Sequence, residues 1–408
     1  MSAGQAITPT TDFPKEIPCE GEPRLIVFVG NPTQYHAPLF RRLSKALDGR
    51  MQVMYGDDIG ARSFFNPEVN AFIEWDVPLL AGFPYKIFPN RVSSDRKGFW
   101  SRNNPGLISH VWRSPASHVL LHGYDTLSSW YVYLAALLSG KKIIWRGETV
   151  PKPGRRSSKV ERIKRLVLPF YFRGVDKVLW SCLNNRDCLT TYLGRATSKL
   201  VRFPCAVDNE FFSSYRLDDA ARQRARRDYG IADDHMVIAT CSRLTKRKRT
   251  HLILDAMARL NGDKATLLII GDGPERRALE DQASRLGLSL IVAGFVGQAE
   301  VARLLSISDV FALLSQYDAS PKALNEAMNF PLAMIASTGV GTARDLVHPG
   351  SNGHIFEEGR EDDLVRWLQT WADNPEARKA MAAHNEEILK DFTIEEDVAN
   401  LLETMKVG

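Results

Sequence analysis

From residue 235 onward the chain repeats one pattern: a short, almost uninterrupted apolar run, a turn, then a stretch with helical spacing. The runs occupy 235–240, 265–270, 288–292, 310–314 and 332–336, with helical stretches at 249–260, 275–286, 299–306 and 321–328 between them. Runs this apolar are buried on both faces, as happens in a parallel sheet covered by helices on either side. Parallel neighbours need a crossover, and the intervening helices supply it. The pattern predicts a doubly wound α/β domain, with the chain helical from Glu361 to its end.

The first half repeats the pattern less cleanly. An apolar run at 25–29 ends in Gly30, a loop carries Tyr35 and His36, and a helix is expected over 38–47. A run at 119–121 delivers His122 and Gly123, a helix follows over 125–138, and a run at 142–145 delivers Arg146 and Glu148. Further strands are expected at 176–180 and 199–203. Residues 56–115 show no period and hold many Pro, Gly, Arg and aromatic residues (Trp75, Phe83, Phe88, Phe99, Trp100 and Trp112 among them). They read as a long irregular segment, either a solvated loop with its aromatics tucked into the core or one that contacts acceptor or membrane, the latter slightly favoured.

A chain of 408 residues suits two cores. The Pro and turn formers at 204–212 mark a linker. The expected organisation is a flexible N-terminus (1–23), a first Rossmann-like domain (24–205), a second (206–390) and a C-terminal helix (391–408) that crosses back to the first. Fold class is α/β: two Rossmann-like doubly wound domains facing a central cleft.

Several classes are set aside. Gly30 opens no G-x-G-x-x-G, so a dinucleotide site of the dehydrogenase type is not supported. The 5 cysteines (Cys19, Cys182, Cys188, Cys205 and Cys241) include no C-x-x-C pair, so neither zinc nor a disulfide framework is signalled. No signal-peptide core or 20-residue apolar run is present, so a cytoplasmic protein is expected, peripheral at the inner face of the membrane. Charge is uneven. Residues 1–205 hold 29 Lys+Arg and 16 Asp+Glu, a balance of +13, whereas 206–408 hold 24 and 32, a balance of −8. A basic first half points to an anionic partner, for which a membrane surface is expected and nucleic acid is not. The stretch 153–174 is the most basic (Arg155, Arg156, Lys159, Arg162, Lys164, Arg165 and Arg173), with Ile163, Leu166, Val167 and Phe170 at helical spacing. It reads as a helix packed on the sheet with a solvated basic face, or as a contact with an anionic surface.

The site signals gather in the second half. After the run 310–314 comes Ser315-Gln-Tyr-Asp-Ala-Ser-Pro-Lys-Ala-Leu-Asn-Glu-Ala-Met328. Ser320 is expected as N-cap and Pro321 at the first helical position, leaving amides for a phosphate and Lys322 beside them. Asp318 stands before the turn and Glu326 lies along the helix. After the first run of this half come Arg243 and Lys248, flanking a turn that opens a helix and suits a diphosphate. Gly271-Asp-Gly-Pro274 is a tight turn that lets a ring or phosphate approach the backbone.

Together, Arg243 with Lys248, Gly271-Asp-Gly-Pro274, Gly294-Phe-Val296, Asp318 with Glu326, Glu326-Ala-Met328 and Ala336-Ser-Thr-Gly-Val-Gly341 resemble glycosyltransferase family 4. His122-Gly123 and Val207-Asp-Asn-Glu-Phe211 share the likeness, which spans roughly residues 116–390. The resemblance implies the two-domain GT-B fold. It also implies retaining transfer of a sugar from a nucleotide diphosphate donor, UDP before GDP, to a glycan, lipid-linked or small-molecule hydroxyl, without cofactor or metal. Carried over, Arg243 and Lys248 neutralise the diphosphate with amides of Ser320, Lys322 and Ala323, and Pro321 lines the same turn. Glu326 binds ribose, Asp318 and His122 the donor sugar, and the backbone of Gly294, Phe295 and Val296 faces the base, with Gly271 and Gly273 nearby. Gly30, Tyr35, His36, Arg146 and Glu148 fall on the acceptor side. The family's first acid is usually Glu, and the shorter Asp318 puts the donor sugar in question. An epimerase of the same fold and a non-catalytic sugar-nucleotide binding module are the alternatives.

Overall fold

The computed structural model describes residues 16–406 except 20, 62–63, 67–70, 74, 93–95, 97, 151–158, 205 and 263. Arg155, Arg156, Cys205 and the extreme N-terminus, singled out by the sequence, lie outside the described residues. The first strands are β1 (Leu25–Val29), β2 (Met51–Tyr55), a hairpin of β3 (Phe64–Asn66) with β4 (Ala71–Ile73), and β5 (Tyr85–Ile87). They are followed by β6 (His118–His122), β7 (Lys142–Arg146), β8 (Lys177–Trp180) and β9 (Leu200–Arg202). The second set is β10 (Met236–Cys241), β11 (Ala265–Ile270), β12 (Ser289–Gly294), β13 (Val310–Leu313), β14 (Ala333–Ser337) and β15 (Gly353–Phe356).

They form a seven-stranded sheet of order β5-β2-β1-β6-β7-β8-β9 and a six-stranded sheet of order β12-β11-β10-β13-β14-β15. The strand order reverses direction beside β10, between β10 and β13, which is where open α/β sheets bind ligands. Contacts divide the chain into two compact units, Met1–Ile144 and Trp145–Gly408. The strands of the two sheets separate between Arg202 and Met236, the interval in which the sequence places a linker.

Every residue of β1 and of β11 is buried. The second sheet's core joins Ile238, Leu267, Ile269, Ala312 and Ile335 to Leu254, Leu368 and Trp371 from the flanking helices. One ionic cluster pins the start of β10 to that of β13. Asp309 accepts from the amide of Val237 at 2.8 Å and pairs with Arg222, Arg226 and Arg378 at 2.8, 2.6 and 3.1 Å. Burial alone would raise the carboxyl's pKa, but the three guanidinium groups hold it below its ordinary range.

The strand β2 and the helix Leu183–Leu193 have no counterpart in the sequence reading. Within 56–115 the irregular stretch contains β5 and the helix Gly106–Arg113. Its aromatics divide: Phe83 and Phe88 are buried, whereas Trp100 and Trp112 are exposed.

Candidate functional site at the edge of the second sheet

Three loops meet at the carboxyl ends of β10, β11 and β13, each tied to its neighbour by backbone bonds. The loop after β11 is held to the loop after β10: the Ser242 amide donates to Ile270 at 3.0 Å and the Leu244 amide to Asp272 at 2.9 Å. Glycine is required in this contact. Gly271 and Gly273 have φ of +144° and +155°, and a Cβ on either would run into the Ser242 or Leu244 carbonyl. Gly271 also bridges to Gly294 at the end of β12.

The loop after β13 is fixed on both sides. The Gln316 amide donates to Arg247 at 2.8 Å, and Arg249 Nε donates to the Leu314 carbonyl at 2.8 Å. On the other flank the Asp318 amide donates to Gly339 at 2.9 Å and the Gly341 amide to Asp318 at 2.7 Å. These bonds place Asp318 where Lys248 reaches it, and the two form an ion pair. Lys248 is buried and Asp318 half-buried. Arg247, which the sequence reading passed over, donates to the Tyr317 carbonyl.

Glu326 is buried on the helix Lys322–Ala327. It lies near Cys241 at the end of β10: burial, and then the Glu326 charge, push that thiol's pKa up, against the pull of Lys248. Arg243 is half-buried, and burial followed by the charge of Arg247 lowers its pKa. A guanidinium so placed favours an anion. Ser242 Oγ, Thr245 Oγ1, Ser315 Oγ and both side-chain amide atoms of Asn325 are buried without a hydrogen-bond partner among the described residues. Buried polar groups are ordinarily satisfied, so their concentration in these loops marks a polar ligand site.

One expectation is corrected. The helix begins at Lys322, and Pro321 (φ −68°, ψ 118°) is its cap residue, so Ser320 is not the N-cap. Pro321 itself is extended at its ψ, outside helical geometry, which moves the start one position on. With Lys322–Ala327 only six residues long, the helix has little dipole to offer, and the burden of binding an anion shifts to side-chain cations. Lys322 is one of these, and it pairs with Glu148 at 3.4 Å, while Arg146 stands 3.6 Å from the same carboxylate. Ala323 lies one residue into the helix. At the end of β12, Gly294 is buried, Phe295 exposed and Val296 half-buried.

The remaining candidates belong to the unit Met1–Ile144. Here His36 stands edge-on to His122, ring centroids 5.0 Å apart, with Tyr35 at the start of the His36–Ala46 helix. Gly30 lies against the guanidinium of Arg102, which pairs with Asp57 at 3.0 Å and donates to Asn31 at 3.0 Å. Arg102 and Asp57 are polar groups at the β1 end that the sequence does not reveal. Among the described residues no group of three or more His, Cys, Asp and Glu side chains is placed to hold a metal ion.

Residues 221–387, which contain all the loops of the second sheet, match the family described as glycosyl transferases group 1. Over that segment the chain is similar to group 1 glycosyl transferases, and its two parallel sheets have the GT-B fold. It is 30% identical over 135 residues to N-acetyl-alpha-D-glucosaminyl L-malate synthase of Bacillus anthracis, a match covering 33% of this chain and 35% of the relative. The chain thus spans about a third of the length of that relative. Lipopolysaccharide core biosynthesis glycosyltransferase LpsE of Rhizobium meliloti is 27% identical over 352 residues, 82% of this chain and 92% of the relative. In structure, Anabaena HepE in complex with UDP and glucose superposes with a TM-score of 0.72 at 16% identity, covering 94% of this chain and 99% of HepE. The group 1 match ends before the helix Ile394–Lys406.

Proposed function

We propose that this protein is a glycosyltransferase that moves a hexose, with retention at the anomeric carbon, from a nucleotide diphosphate donor to a hydroxyl of a glycan, lipid-linked or small-molecule acceptor. UDP is the favoured donor nucleotide and GDP the second. The observation that carries the reading is the pairing of Lys248 with Asp318 beside Arg243 and buried Glu326 at one sheet edge. The donor's diphosphate replaces Asp318 as the partner of Lys248, with Arg243 and Lys322 beside it. Asp318 is then released to accept from sugar hydroxyls, and Glu326 to accept from the ribose. As the glycosyl–phosphate bond breaks, negative charge grows on the leaving diphosphate. Cations already in place stabilise that charge without having to reorganise. They supply what a metal ion would otherwise provide. His122 is assigned to the donor sugar, and Gly30, Tyr35 and His36 to the acceptor. Support for UDP comes from HepE, which was crystallised with UDP and glucose. Support for a glycan acceptor comes from LpsE, named for lipopolysaccharide core biosynthesis.

The test is a thermal-shift screen of UDP, GDP and their sugars, followed by an assay for nucleotide diphosphate release with acceptor extracts. A bound nucleotide raises the melting temperature by mass action. The expected result is a shift with UDP or GDP and acceptor-dependent release, with the donor's anomeric configuration kept in the product by NMR. No shift with any nucleotide sugar removes the donor site. Binding without turnover removes the catalytic reading.

A further inference from the structure

The helix Lys159–Arg173 is apolar on two opposite sides. One side belongs to its own unit. Leu168, Tyr171 and Phe172 are buried there, Phe172 stands edge-on to Trp145 at 5.1 Å, and Glu161 accepts a 2.7 Å hydrogen bond from Tyr192. At about 100° per residue, Ile163, Leu166, Val167 and Phe170 fall together on the opposite side. Their exposures are 59, 69, 41 and 64%. The spacing i, i+3, i+4, i+7 makes them one continuous stripe. The expectation of a helix packed on the sheet with a solvated basic face is therefore half right. The helix packs through other residues, and its outer face is apolar.

Arg162 and Arg173 are exposed along one flank of the stripe. Arg173 lies over the Phe170 ring at 4.6 Å, and Arg165 is 4.0 Å from Glu161 at the inner side. An exposed apolar stripe of this kind marks a contact surface. Its charge selects the occupant. A second copy would bring the same arginines to the contact, and like charges facing across an isologous interface oppose it. An anionic lipid surface satisfies both parts: the stripe enters the acyl boundary and the arginines meet the headgroups. The same sign runs through the first half, with 29 Lys+Arg against 16 Asp+Glu in residues 1–205. Among the described residues no helix is long and apolar enough to cross a membrane, so the mode is lying on the surface.

We propose that Lys159–Arg173 is a docking face for an anionic lipid surface, with Ile163, Leu166, Val167 and Phe170 turned into the bilayer. The proposal does not rest on the donor site, and its assay contains no nucleotide, so the two can fail separately.

The experiment is co-sedimentation of the full chain with vesicles of phosphatidylcholine alone or mixed with phosphatidylglycerol, at low and high salt. Wild type pellets with the anionic vesicles at low salt and is largely released at high salt. Leu166→Asp/Phe170→Asp, at exposed positions and with an unchanged melting temperature, stays in the supernatant. Arg162→Gln/Arg173→Gln loses roughly 25-fold in partitioning, about fivefold per arginine. Wild type remaining in the supernatant at low salt overturns the proposal, as does pelleting of the folded Asp variant at the wild-type level. A lipid-free dimer that Leu166→Asp dissolves, seen by sedimentation velocity, assigns the stripe to a second copy and overturns it as well.

Discussion

Lys248 and Asp318 compensate each other in this structure, and the proposed donor exchanges that partner for its diphosphate. Their substitutions should therefore be unequal. Lys248→Ala removes a cation from the leaving group, and kcat is expected to fall about 100-fold, as for loss of one preorganised donor. Donor affinity should change less. Glu326→Ala acts on the ribose, so donor KM should rise about tenfold, as for a lost charged hydrogen bond, with kcat changing less. Steady-state kinetics with a varied donor separates the two. Wild-type parameters in either variant remove that residue from the site. Glu148 works in the opposite sense. It holds Lys322 at 3.4 Å and is itself over one-third exposed, so Glu148→Gln removes an anion that competes with phosphate for the ammonium. Donor KM is expected to fall about two- to fivefold, the scale of a part-exposed ion pair. An increase would show that Glu148 instead orients Lys322 for the donor.

At the scale of elements, the loops owe their positions to backbone contacts that admit no Cβ. Gly271→Ala would place a methyl group against the Ser242 carbonyl at a φ of +144°. The variant should lose more than about 1 kcal/mol, read as a drop in melting temperature, with weaker donor binding because the β10 loop carries Arg243. An unchanged melting temperature would mean that the two loops are not locked together. The sequence foretold much of this edge. Apolar runs of strand length gave the sheet, and loops at strand ends gave Arg243, Lys248, Gly271 and Asp318. The rest depended on distant partners. Glu148 meets Lys322 across 174 positions, which no local pattern encodes. The cap at Ser320 failed because Pro321 is itself extended, with ψ 118°, a value that no local sequence signal encodes. For Lys159–Arg173, periodicity showed that an apolar face exists and left open which side turns inward. Packing of Leu168, Tyr171 and Phe172 decides that.

For the molecule as a whole, pH reports a contact between segments far apart in sequence. Asp345 accepts from the amide of Leu183, both oxygens at 3.1 Å. Burial is the largest influence on it and raises its pKa to about 6, against this hydrogen bond and the nearby Arg202 and Arg344. The folded-state value thus lies above the unfolded one. Between about pH 4 and pH 6 the folded chain keeps a proton that the unfolded chain has given up. Stability contributed by this group is therefore full below pH 4, declines between about pH 4 and pH 6, and is lost once pH has risen through the folded value. Asp345→Asn keeps an acceptor for Leu183 and cannot ionise, so it escapes that decline. Melting temperatures of wild type and variant, measured from pH 4 to pH 7.5, should diverge in the variant's favour as pH rises from about 4 to about 6 and run parallel above that. Parallel curves across that range would mean that the carboxyl ionises as freely in the folded chain as in the unfolded one. The segment carrying Asp345 would then not be held against Leu183 in solution.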